Sequence, residues 1–253
     1  MLDSRLIAAD VLKLRRRRGM LSIALLLTLG AIALVFVVMA IQHGTDPARH
    51  GPAGGLENYV EDIGFVALMA LIVGAIVGAT AGAQDLDSGV FRDLAATGRS
   101  RRALFAARVT GAWVVVLSIL GLTAAVTAAG SLALAGASPA PGLSDVIEGT
   151  LMVLASGALS AAMAVGLAAL VGSRGPVIGI LLAFHLAITP LLQQMSLLGS
   201  TRQVLPIAAL NRIGDQPQAV ELQVALLTAI LAVIGWGALA LGAGAWRTRT
   251  REI

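Results

Sequence analysis

The sequence contains no cysteine and only one lysine, Lys13, among its 253 residues. The absence of cysteine excludes disulfides, thiolate catalysis and cysteine-ligated metals. Lys13 lies in LKLRRRR, so the chain has no GxxxxGK[ST] phosphate loop and cannot hydrolyse ATP by that route. Any use of ATP would therefore require another polypeptide.

Charge is also scarce: 13% of the residues are charged and 57% are hydrophobic, whereas about a quarter of an ordinary soluble domain is charged. Six long stretches lack Asp, Glu, Lys and Arg, and each reaches the roughly 20 residues that a bilayer core requires. The sequence therefore predicts an all-α polytopic membrane protein with a single transmembrane domain over residues 1–253. The predicted spans are about 20–41, 63–83, 109–136, 149–171, 177–198 and 222–246.

The N-terminal segment, residues 1–18, is predicted to be a helix that lies along the membrane interface. An apolar stripe precedes a run of four arginines and consists of Leu6, Ile7, Val11 and Leu14. The apolar run that follows is longer than the roughly 7 to 15 residues of a cleavable signal, so we interpret it as a retained first span.

Basic residues are distributed asymmetrically between alternate loops. With the N-terminus inside, 15 of the 18 Lys and Arg residues are cytoplasmic, and only Arg49, Arg202 and Arg212 are outside. This pattern satisfies the positive-inside rule and predicts that both termini and the loop between spans 2 and 3 are cytoplasmic. The pI of about 10.9 therefore indicates contact with the lipid bilayer and topology rather than a nucleic-acid partner.

Two spans carry candidate functional residues. Gly74, Gly78 and Gly82 form a doubled GxxxG, which predicts close packing against a helix of the same chain or of a second copy. The fifth span contains His185, Thr189 and Gln193, with Pro190 predicted to kink it. His185 is a candidate for the translocation path, or a neutral imidazole bonded to a neighbouring helix.

Two outer segments carry weaker signals. His43, Asp46 and His50 match no recognised ligand spacing, so we predict a solvated loop and no metal. The segment LPIAALNRI before the last span is predicted to form a short helix at the outer surface.

The most informative polar segment is QDLDSGVFRDLAATGRSRRALFAAR, residues 84–108. Asp87 or Ser88 can cap a short helix, Gly98 can end it, and Ser100 can cap the next span. The short helix would carry an apolar edge without a partner in its own loop, formed by Val90, Phe91 and Leu94.

This arrangement resembles the permeases of the ABC-2 type exporter family, bacterial six-span subunits that pair with a separate ATPase. The loop matches that family at Asp87, Gly89, Leu94, Gly98, Ser100, Arg101 and Arg108. It departs from the family pattern at Ser88, at Val90, where Thr is common, and at Gly98, where Pro is common.

The resemblance implies that the loop helix is a coupling helix docked on the ATPase. The residues it assigns to that contact are Asp87, Val90, Phe91, Arg92, Asp93 and Leu94. It also implies a second permease copy or a related subunit, a path lined mainly by the first, second and fifth spans, and an inner-membrane location. ATP and magnesium would be bound by the partner, and this chain would hold no cofactor and no catalytic residue. The apolar spans suggest an amphipathic or hydrophobic substrate.

Two other functions compete with this interpretation. An ion-coupled secondary transporter would usually carry acidic residues inside its spans, and His185 is the one ionisable group found there. The alternative of a membrane-embedded transferase rests on DLDSGVFRDLAATGR, which is similar to the metal-binding motif of CDP-alcohol phosphatidyltransferases. Ser88 interrupts that motif and no acid follows Asp93 until Asp145, so a two-metal site would lack half its ligands.

Overall fold

The computed structural model describes residues 4–87 and 100–250, apart from the side chains of residues 85–87 and 220–221. Within these ranges all regular secondary structure is helical. We number the helices α1 (Ser4–Arg16), α2 (Arg18–Thr45), α3 (Leu56–Asp87), α4 (Arg101–Ala133), α5 (Leu143–Val171), α6 (Arg174–Gln194), α7 (Pro206–Ile213), α8 (Pro217–Glu221) and α9 (Leu226–Thr250).

Six of these helices are long and apolar enough to cross a membrane: α2, α3, α4, α5, α6 and α9. They fall on the six predicted segments, which confirms the all-helical class and the six candidate spans. The predicted interfacial position of α1 and the predicted cytoplasmic location of the termini concern the bilayer and stay predictions.

The centre of the bundle is formed by α3, α4 and α5. About 67% of the apolar window of α3 and 72% of that of α5 are buried, against 22% for α2 and α6 and 6% for α9. The main core joins these three helices with α1 and α2, and Tyr59, Ile63, Leu120 and Met152 are among its fully buried side chains. The outer three spans therefore present most of their apolar surface to their surroundings.

Helix ends follow local backbone chemistry. The Ser100 side chain accepts a hydrogen bond of 3.2 Å from the Ala103 N–H, which confirms the predicted cap of the third span. The fifth span ends at Gln194 rather than near residue 198, because Met195 is extended. The last span begins at Leu226 rather than 222, because Gln223 has a positive φ of 50°.

A two-residue connection joins α5 to α6. Gly172 ends α5 in the left-handed conformation, with φ 82° and ψ 1°, and its N–H donates to the Ala168 carbonyl. Glycine is favoured there because a Cβ is strained at this φ. Ser173 is extended and α6 begins at Arg174, so Pro176 is the third residue of the helix.

Both α2 and α6 contain one π-helical turn, at Leu26–Gly30 and Phe184–Ile188 respectively. The second turn lies directly before Thr189 and Pro190. A proline has no N–H to bond the preceding turn, and a π turn is one way in which a helix absorbs that irregularity. The irregularity predicted from Pro190 thus takes the form of a wider turn around His185.

The connection between α6 and α9 contains the short helix α7, which coincides with the predicted LPIAALNRI helix. Its buried residues Ala208, Ala209 and Leu210 pack against the bundle. The segment is also tied to α9, since the Trp236 indole N–H donates to the Val204 carbonyl at 2.9 Å.

Candidate functional site

The residues assigned to ATPase contact border or fall outside the described ranges. Asp87 is the last residue of α3, whereas Val90, Phe91, Arg92, Asp93 and Leu94 lie outside the described residues. What the structure gives is the framework on either side of them, the end of α3 and the start of α4.

The N-terminal helix α1 packs across this framework. Its Leu14 is fully buried, and its Asp10 lies so close to α4 that a Cβ added at Gly111 would be 3.0 Å from the Asp10 Cβ. Leu6, Ile7 and Val11 are also partly covered while Leu12 is half exposed, which matches the predicted apolar stripe. The apolar face of α1 therefore packs against the rest of the helical bundle.

A narrow crevice, the basal crevice, lies where α1 meets the last turns of α3 and the first turns of α4. Arg108, at the start of the third span, is only 3% exposed there. Lys13 and Asp10 form an ion pair at 3.3 Å. The lining comes from α1, α3 and α4 and consists of Asp10, Lys13, Leu14, Ala81, Gln84 and Arg108.

A buried arginine is retained only when polar partners surround it. Both Arg108 and Gln84 take part in polar or electrostatic interactions, and both line the crevice together with Asp10 and Lys13 of α1.

The three glycines of the second span face α5 of the same chain. A Cβ would lie 2.6 Å from the Gly157 carbonyl oxygen if added at Gly74, and 2.5 Å from that of Ala161 if added at Gly78. At Gly82 it would lie 2.6 Å from the Ala168 Cβ. In the described protomer these glycines therefore allow the second and fourth spans to pack closely together.

The candidate path residues of the fifth span lie on one polar edge. His185 is 2% and Thr189 0% exposed, and the Thr189 hydroxyl donates to the His185 carbonyl at 3.2 Å. The Phe184 ring contacts both the His185 ring and the Trp236 ring, with centroids 5.4 and 5.5 Å apart. Among the described residues, His185 Nε2 and Gln193 Nε2 are buried without a hydrogen-bond partner.

Comparison with protein families identifies the architecture. A family model described as ABC-2 family transporter protein matches residues 6–190. The chain belongs to this family. The match begins in α1 and ends in α6, so it covers the basal crevice, the glycine contact and His185. No curated protein matches the chain.

Members of the ABC-2 family are typically the non-catalytic membrane component of a transporter, and the family implies association with an ATPase subunit. In this ABC-2 chain, no group of three or more His, Asp or Glu residues that could hold a metal occurs among the described residues. His43 Nδ1, in the last turn of α2, lies 2.8 Å from the His50 carbonyl oxygen.

Three interhelical contacts of this ABC-2 chain escaped the sequence interpretation. The Ser160 hydroxyl donates to the Leu71 carbonyl at 2.6 Å, and the Trp113 indole N–H donates to the Ala158 carbonyl at 2.9 Å. Gly244 of α9 touches the fourth span so closely that an added Cβ would lie 2.7 Å from the Gly166 Cα. The spacing of small residues in the fourth span, where Gly157 is followed by Ala161 four residues later, was the available signal.

Proposed function

We propose that this chain is the permease subunit of an ATP-driven exporter in the cytoplasmic membrane of a bacterium. A separate ATPase, carrying ATP and magnesium, would contact residues 88–99 from the cytoplasm, where both termini would also lie. A second copy or a related permease subunit would complete the path. The basal crevice supports the proposal, because its lining brings side chains of α1 together with side chains of both helices that flank residues 88–99.

Through this crevice, a movement of residues 88–99 would be transmitted to the membrane-spanning helices. Since residues of α1, α3 and α4 line this crevice together, a push on the connecting segment would act on all three helices. Close contact along Gly74, Gly78 and Gly82 then couples α3 to α5. Transmission through packed helices with discrete arrangements is how such switching transitions operate.

The cargo we propose is amphipathic or hydrophobic. The sparsely buried spans α2, α6 and α9 expose large apolar side chains, among them Leu34, Ile41, Leu191 and Leu227. Between two permease subunits, the surfaces of α2 and α6 would form an apolar boundary next to His185 and Thr189. Such a boundary favours molecules that gain free energy by leaving water.

The decisive experiment is purification of the full chain, co-expressed with a candidate ATPase subunit from the same genome, in mild detergent. A Phe91→Asp variant should insert normally but lose most co-purified ATPase and substrate-stimulated ATP hydrolysis, because a carboxylate would replace the apolar anchor. The matched control is Leu197→Asp, which introduces the same charge at a 91% exposed position in the α6 to α9 connection. Equal ATPase recovery from the two variants would refute the coupling role.

A further inference from the structure

A groove opens between α1, the first turns of α2 and the third span, with a volume of about 380 Å³. Its walls are mostly apolar, with two polar residues, Arg15 and Ser118. The apolar lining consists of Val11, Leu21, Leu25, Val114, Val115 and Ile119. Leu25 and Val114 along it remain 39% and 44% exposed. The groove therefore opens sideways from two spans rather than into the protein core.

The surroundings of the groove are set by the helices that form it. Both α2 and α4 are candidate membrane spans, so in a bilayer the exposed side chains of Leu25 and Val114 would face hydrocarbon. Ser118, the other polar residue in the lining, satisfies its hydroxyl on the Val114 carbonyl of its own helix at 2.7 Å. The Ser118 hydroxyl therefore needs no hydrogen bond from a molecule bound in the groove.

Arg15 marks the polar end of the groove. It lies in the last turn of α1, next to Arg16, and its side chain is exposed. Lys13 is paired with Asp10, whereas no described acidic residue pairs with Arg15. An unneutralised guanidinium above an apolar channel is complementary to a molecule with a phosphate head and a hydrocarbon tail.

The volume fits one acyl chain. A methylene group occupies about the volume of a water molecule, roughly 30 Å³, so the groove holds on the order of a dozen methylenes. We propose that this groove binds an anionic phospholipid from the leaflet beside α1, with one acyl chain between α2 and α4 and the phosphate on Arg15. The site is independent of the ATPase contact proposed above, since it uses none of residues 84–108.

The test uses the full chain in nanodiscs of phosphatidylcholine mixed with phosphatidylglycerol, released for native mass spectrometry. The wild type should retain phosphatidylglycerol in preference to phosphatidylcholine. Arg15→Gln should lower that preference about fivefold, since one basic group near a membrane surface contributes about that factor. Arg16→Gln removes the same charge one residue away, outside the groove lining, and should leave most of the preference. Equal losses in the two variants, or none in either, would overturn the proposal.

A second pair of variants tests the acyl chain itself. Val114→Trp should fill the groove and abolish retention of both lipid classes, whereas Leu34→Trp, at an exposed position elsewhere on α2, should not. Unchanged elution and thermal unfolding would show that both variants are folded. Because the chain has no cysteine, a single cysteine introduced by Val114→Cys shows whether another protein lies against the groove. A disulfide-linked dimer, or a cross-link to the ATPase, would show that protein covers the groove and would overturn the lipid assignment.

Discussion

The hydroxyl of Ser160 in the fourth span donates a 2.6 Å hydrogen bond to the backbone carbonyl of Leu71 in the second span. Both groups lie in the middle of the bundle, and Ser160 is fully buried. The Leu71 carbonyl thus receives a donor from another helix, at the face where the glycines of α3 bring the two backbones together. Small residues bring the backbones of α3 and α5 close together, and this directional hydrogen bond fixes how the two helices are aligned.

Replacement of Ser160 by Ala should weaken the contact between α3 and α5 modestly. The loss should be about 0.6 kcal/mol and at most roughly 2 kcal/mol, as for other hydrogen bonds between membrane helices. The measurement is unfolding of the purified protein by titration with a denaturing detergent. Ser118→Ala is the control, because Ser118 bonds only to its own helix, and a larger effect there would contradict the interpretation.

Gly78→Leu should be far more damaging than a serine change. The added Cβ would meet the Ala161 backbone at 2.5 Å, and a backbone cannot move aside as a side chain can. We expect destabilisation of about 3 kcal/mol, the upper end of the usual range for overpacking, seen as loss of the monodisperse peak in size-exclusion chromatography. Gly121→Leu in α4 adds the same side chain where nothing lies within 4 Å and should be tolerated. Similar behaviour of both variants would show that α3 and α5 are not packed this closely.

The last span offers a matched pair within one helix. Gly244→Val places a branched side chain against Gly166 of the fourth span, with the Cβ 2.7 Å from its Cα, whereas Gly242→Val points to open space. Only the first should release α9 from the bundle. Protease access to a tag on the C-terminus measures this release, and equal cleavage of the two variants would argue against the contact.

Arg108→Leu should loosen the basal crevice. The side chain is buried and lines the crevice with Asp10, Lys13 and Gln84, and an apolar replacement removes the polar interaction that the guanidinium makes, at a cost of roughly 1–3 kcal/mol. Arg102→Leu removes the same charge from an exposed position and should be nearly neutral.

Loosening of the crevice can be measured by the rate at which a disulfide forms between one cysteine placed in α1 and another placed in α4. We expect slower cross-linking of α1 to α4 in Arg108→Leu than in Arg102→Leu, in an otherwise cysteine-free chain. Identical rates would mean that the crevice does not hold α1 in place.

The sequence predicted features that depend on local physics and missed those that depend on neighbours. Apolar length alone located the six spans, and Ser100 was identified as a cap because capping is decided within one turn. The glycine spacing in α3 predicted a close helix contact but did not predict which helix makes it. In the structure that helix is α5. Arg108 was assigned only to topology and to a family match, and its burial against α1 could not be predicted, since it arises from a helix about a hundred residues earlier.

The same limit applies to the fifth span. Pro190 predicted an irregular helix, but the form of the irregularity, a π turn at Phe184–Ile188, depends on how the freed carbonyl is accommodated. Burial of His185 beside Phe184 depends on α9 as well, through the Trp236 ring. Neither arrangement has a signature within the fifth span itself.

The two-residue connection at Gly172 and Ser173 limits how the subunit can change shape. Two extended residues reach only about 7 Å, so α5 and α6 cannot slide past each other along the membrane normal by more than a fraction of the bilayer thickness. Tilting about the connection remains open to them. The position of His185 along the bundle axis is therefore limited by the fourth span, and a conformational change would move this helical hairpin as one piece while the end far from Gly172 tilts.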